Sequence, residues 1–185
     1  VAPVGRMPEK ALARLTRIAE GLQKGDPSTL RNILLIGPAS SGKNMLALYA
    51  MAHSRTPAYE LLSTKASFVG ESERRGRLQL DLLREHGGFG FIDEVDMVLP
   101  DRNKEGHDGG TTQHIAGQLQ TFLSDPSLSG RVAIIGNTNS PGQLSPQMQS
   151  RWLLIPVLSA SPADLPLILG SLCAQLGMAG MSAQA

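Results

Sequence analysis

Apolar residues run along this chain in two rhythms. Leu12, Leu15, Ile18, Ala19 and Leu22 recur at three- and four-residue intervals, the period that lays a stripe along one face of a helix. Pro8 opens that helix where its missing N–H costs nothing, and Lys24 with Gly25 supplies a stop, so the pattern predicts a helix over 8–24. Five shorter runs are almost continuously apolar: "NILLI" (32–36), "AYELL" (58–62), "FGFID" (89–93), "VAIIG" (132–136) and the weaker "LLIPV" (153–157). Runs of this length read as buried strands. Helical spacing fills the intervals at 43–53, at about 72–85 (weakened by Gly76) and at 112–124, where Ile115, Leu119 and Phe122 share a face. Buried strands alternating with helices predict the α/β class, with a five-stranded parallel sheet sandwiched by helices. The polar stretch "PDRNKEGHDGGTT" (100–112) reads as a mobile loop, and no internal repeat is present.

Composition narrows the picture only a little. The 185 residues suit one domain or one and a part, and 41% hydrophobic content is enough for a core. With 17 basic against 16 acidic residues, the net charge gives no case for a nucleic-acid or membrane partner. The single cysteine, Cys173, excludes an internal disulfide framework. No apolar run is long enough to span a bilayer and no signal-peptide pattern opens the chain, so a soluble, cytoplasmic protein is expected. Starting at Val1 rather than Met, the sequence is read as an excised fragment.

Chemistry concentrates in "IGPASSGKNMLA" (36–47), which follows a predicted strand and opens a predicted helix. Gly37 and Gly42 let the backbone curl so that the N–H groups of Pro38's successors, Ala39, Ser40, Ser41 and Gly42, turn inward toward phosphate oxygens. The helix start through Lys43, Asn44 and Met45 adds a favourable partial charge, and Lys43 reaches the outer phosphates. A plain glycine-rich turn is the competing explanation. A second motif, "FGFIDEVD" (89–96), ends an apolar strand in two adjacent carboxylates, at the strand edge where open α/β sheets bind ligands. Asp93 is expected to hold Mg²⁺ and Glu94 to polarise a water for attack on a γ-phosphate.

With both motifs in place, residues 31–158 resemble the large domain of an AAA+ ATPase, of the clade that contains protein unfoldases and complex-disassembling machines. "GPASSGKN" resembles its Walker A motif, "FGFIDEVD" its Walker B, and "RVAIIGNTNSPGQLSPQMQSRW" (131–152) its second region of homology. The resemblance implies the following roles. Asn139 is the sensor-1 residue that positions the attacking water. Arg151 is the arginine finger inserted into a neighbour's site; a bland surface arginine is the alternative. In "KASFVGESERR" (65–75), Phe68, Val69 and Gly70 form a pore loop that grips extended polypeptide; a core role for Phe68 is the alternative. ATP and Mg²⁺ are the implied cofactors, and the implied partners are further copies of the chain, as a hexameric ring, and a protein substrate.

The chain departs from the family pattern in three places. Asn44 stands where a Ser or Thr hydroxyl normally ligates Mg²⁺. Its amide oxygen is still a ligand, but a longer and neutral one, so weaker metal positioning is expected. The second arginine common in the clade is missing from "PQMQS". Residues 159–185 supply only the start of a helix, with Leu165, Ile168, Leu169 and Leu172 as its stripe, so the helical lid is absent or truncated. The domain reading is therefore 1–158 for the nucleotide-binding domain and 159–185 for an incomplete lid. Function is read as ATP hydrolysis driving protein remodelling through a central pore. A nucleotide-binding scaffold with slow turnover is the alternative, and a nucleic-acid motor or loader a more distant one. The histidines at 53, 86, 107 and 114 lack metal-ligand spacing, and "ERRGR" (73–77) reads as a solvated helix face.

Overall fold

The computed structural model describes residues 9–62, 69–99 and 111–175. In chain order the elements are α1 (Glu9–Lys24), β1 (Asn32–Ile36), α2 (Lys43–Ser54), β2 (Ala58–Glu60), α3 (Val69–His86), β3 (Gly88–Ile92), α4 (Val95–Val98), α5 (Thr111–Ser124), β4 (Val132–Thr138), α6 (Pro146–Gln149), β5 (Leu153–Pro156) and α7 (Leu165–Gln175). The five strands form one sheet in the order β2-β3-β4-β1-β5, every neighbouring pair parallel. This is the α/β architecture that the alternating pattern predicts.

Two apolar layers hold the helices to the sheet. Successive strand residues point to opposite faces, so Ile33 and Leu35 pack with Leu15, Ile18, Leu46 and Ala50 of α1 and α2. Leu34, Ile134 and Ile92 enter the other layer, with Leu83, Leu119 and Phe122 of α3 and α5. Strand β4 is buried along its whole length, as expected for a central parallel strand with both faces covered.

Element boundaries move by a few residues. Strand β2 is shorter than expected, ending at Glu60, and β4 runs on to Thr138. Helix α3 begins at Val69 rather than near 72. It runs unbroken through Gly76, where a Cβ would sit 2.6 Å from Cδ2 of Leu62, so the glycine admits the close approach of that side chain. Short helices α4 and α6, each four residues, have no periodic signal of their own. In α7 Leu165, Leu167 and Leu169 are each at least half exposed. No helix among the described residues is long and apolar enough to cross a membrane.

Candidate functional site

Parallel pairing brings distant segments to one edge of the sheet. Ile36 of β1 registers with Thr138 of β4, and Ile92 of β3 with Gly136 of β4. The residues that follow the three strands, beginning at Gly37, Asp93 and Asn139, therefore emerge together at their carboxyl ends. A cavity of about 350 Å³ lies there, lined by Ala39 through Met45, Asp93, Glu94, Asn137 and Asn139.

The loop after β1 is shaped by its two glycines. Gly42 has φ +91 and caps the N-terminus of α2, with open space where a Cβ would stand. Ser40, at φ 60, is also left-handed. Alternation of this kind turns successive N–H groups inward as an anion nest. At Gly37 a Cβ would meet the backbone oxygen of Val157 at 2.0 Å, so only glycine lets the loop leave the sheet beside β5.

Lys43 is buried and donates to neutral oxygens: Gly37 O at 2.8 Å, Pro38 O at 2.7 Å and Asn139 Oδ1 at 2.7 Å. Burial pulls its ammonium pKa below the usual lysine range, opposed by the nearby Asp93 carboxylate. A buried cation surrounded by neutral acceptors is a site for an anion. Gly37 and Pro38 thus serve the cavity through carbonyls that steady Lys43, while Asn139 touches the same ammonium.

The two carboxylates differ in backbone setting. Asp93 and Glu94 are both exposed to the cavity. Glu94 has φ 51 and ψ 59, a left-handed conformation for a residue with a side chain, at the N-cap of α4. Such a conformation costs on the order of 1–3 kcal/mol and persists where its surroundings enforce it. Its N–H is held by Asn137 Oδ1 at 2.8 Å. Behind it, Thr138 Oγ1 donates to Asp96 Oδ1 at 2.6 Å, tying α4 to the end of β4, and both residues are buried.

Asn137, which lines the cavity, and Thr138 and Asp96, which bond behind it, are residues that the sequence reading passed over. The signal was present as three successive polar letters, "NTN", closing an apolar strand, of which only the last was singled out. Asn44 also meets something unforeseen: its Oδ1 accepts a hydrogen bond from Asn137 Nδ2.

Arg151 is placed elsewhere. It precedes β5, whose Leu153 registers with Ile33 at the start of β1, whereas the cavity follows Ile36 at the other end. Four residues of strand separate them, roughly 13 Å at about 3.3 Å per residue. Arg151 Nη1 donates to Ser124 Oγ at the end of α5, and Asn32 Nδ2 donates to Arg151 O at 3.1 Å and to Leu123 O at 3.0 Å. Phe68 lies outside the described residues, as do 100–110. Val69 and Gly70 are helical in backbone, so Gly70 does not supply the loop bend expected of it.

Residues 33–155 match the family described as the ATPase family associated with various cellular activities (AAA). The chain belongs to the AAA family. Among curated relatives, it is 33% identical over 147 residues to peroxisomal ATPase PEX6 of Colletotrichum orbiculare, covering 74% of this chain and 10% of that protein. Human spastin is 30% identical over 126 residues, 66% of this chain and 20% of spastin. The chain therefore spans a small part of the length of these relatives. The crystal structure of the FIGL-1 AAA domain in complex with ADP superposes with a TM-score of 0.76 over 94% of this chain and 60% of that one, at 20% identity, a likeness of fold. This AAA chain is a divergent member, and Asn44 and Asn137 face each other in its cavity.

Proposed function

We propose that this chain is the ATP-binding and ATP-hydrolysing domain of a ring-forming machine that remodels protein substrates. The observation that carries the reading is the meeting of Lys43, Asp93, Glu94 and Asn139 in one cavity at three strand ends. A triphosphate with its cation fits this donor set. The left-handed nest at Ser40 and Gly42 offers inward N–H groups, the desolvated Lys43 offers a positive charge, and Asp93 and Asn44 offer hard oxygens for Mg²⁺. When bound, Mg²⁺ supplies charge neutralisation at the phosphoryl group being transferred.

Each side chain then has a task. The loop from Gly37 to Met45 binds phosphate and Lys43 holds its outer oxygens. Glu94 takes the proton of an attacking water, and Asn139 orients that water while it steadies Lys43. Arg151, at the opposite sheet edge, serves the nucleotide of an adjacent copy, because its own cavity lies beyond the length of β5. That requirement supports a homo-oligomeric ring. Phe68 and Val69 are assigned to the substrate-gripping loop on their motif, and residues 159–185 to the beginning of a lid.

Slow turnover is the second reading, favoured by the bond that Asn137 makes to the Asn44 oxygen. Phosphate release measured alone, with an unfolded polypeptide and with single-stranded DNA separates the possibilities. Stimulation by polypeptide is expected. Stimulation by DNA alone would replace the remodelling reading with a nucleic-acid motor, and nucleotide binding without release would make the chain a scaffold.

A further inference from the structure

Asn137 is 3% exposed in a strand whose other residues are packed on both faces. A buried primary amide is costly unless both of its ends are satisfied. Here both are, and the partners are the two positions on which the proposed chemistry turns. Its Oδ1 accepts the N–H of Glu94 at 2.8 Å, and its Nδ2 donates to Oδ1 of Asn44.

The orientations of both amides follow from one unambiguous group. A backbone N–H can only donate, so the atom of Asn137 facing Glu94 is the oxygen. Its nitrogen therefore faces Asn44, and Asn44 must answer with its own oxygen. One lone pair of that oxygen is used by Asn137 and a second remains, while the Asn44 NH₂ is turned away. The first turn of α2, the end of β4 and the strained turn after β3 are thereby joined through three residues.

We propose that Asn137 is a positioning residue that locks the amide of Asn44 and the left-handed backbone of Glu94 into one unit, so that the metal-side and water-side groups of the site are set together. The inference rests on the reading of Glu94 as general base. It also changes what Asn44 means. Asn44 is half of a matched pair, and exchanging it alone leaves Asn137 Nδ2 buried without its partner.

Two measurements test this. In nucleotide-free protein, Asn44→Ala, Asn137→Ala and the double variant form a cycle read by denaturant unfolding. Each single exchange should raise the unfolding equilibrium constant about tenfold, and the double should fall well short of their product, as for residues in direct contact. Asn137→Asp, nearly isosteric, keeps the acceptor for the Glu94 N–H but sets an acceptor against the Asn44 oxygen. It should lower kcat about tenfold or more, in the range of a buried polar group left without its partner, with affinity for a fluorescent ADP within about threefold of the parent. An additive cycle, or Asn137→Asp with parental kcat, overturns the proposal. Parent protein that binds ADP but releases no phosphate sinks the hydrolysis reading instead, and the unfolding cycle still judges the pair.

Discussion

Lys43 Nζ stands 2.7 Å from Oδ1 of Asn139, a residue 96 positions further along the chain. The contact joins the start of α2 to the residue after β4, and it does so through the residue expected to hold phosphate and the residue expected to orient water. The sheet brings the two segments together: β1 and β4 are adjacent, parallel and in register up to Ile36 and Thr138.

The first prediction concerns pH. Burial lowers the Lys43 pKa, and only the ammonium form attracts phosphate. Nucleotide affinity should be flat below that lowered pKa and fall as pH rises through it, earlier than for an ordinary lysine. A bound phosphate raises the pKa again, so binding on the alkaline side takes up protons. Calorimetry in buffers of different ionisation heat reads that uptake directly. Proton release on binding would count against Lys43 as the phosphate cation.

Gly37→Ala should be severe. Its Cβ would press on the Val157 backbone oxygen, the residue whose N–H closes onto Ile36 O at 2.7 Å. Overpacking of this kind costs typically about 1–3 kcal/mol, so chemical unfolding should show a clear loss of stability together with weakened nucleotide binding. Parental stability in this variant would mean that the loop leaves β1 by another path.

Thr138→Val tests the tether behind Glu94. Valine keeps the shape and removes the hydroxyl that donates to buried Asp96 and accepts from Ser140 N at 2.9 Å. Leaving a buried carboxylate short of a partner costs on the order of 1–3 kcal/mol. The denaturant midpoint should drop accordingly, with the slope unchanged.

Arg151 can be tested by mixing. Arg151→Ala and Glu94→Gln should each be nearly inactive alone. Combined in one assembly they should regain turnover, since a subunit with an intact Glu94 then meets a neighbour with an intact Arg151. If mixtures stay as inactive as their components, Arg151 does not act between subunits.

Much of this was legible in letters. Continuous apolar runs gave the five strands, because a parallel sheet covered on both sides has no polar face to alternate. The cavity was legible because glycines, a lysine and paired carboxylates sit at strand ends, where such sheets bind ligands. Helices α4 and α6 were not, since a single turn shows no period; α6 is set by a cap, with Ser145 Oγ accepting from Met148 N. Asn137 was missed for a related reason. A polar residue near the end of a strand could face solvent, an apolar neighbour or a partner, and only the register of β3, β4 and α2 shows that it has two partners. The role of Phe68 rests on its motif.

The most direct test of the account is Glu94→Gln beside the parent protein, with nucleotide binding and phosphate release measured on both. The account predicts equal binding and a release rate lower by roughly 10²- to 10⁴-fold, the usual worth of a positioned general base. Undiminished release by Glu94→Gln would contradict it.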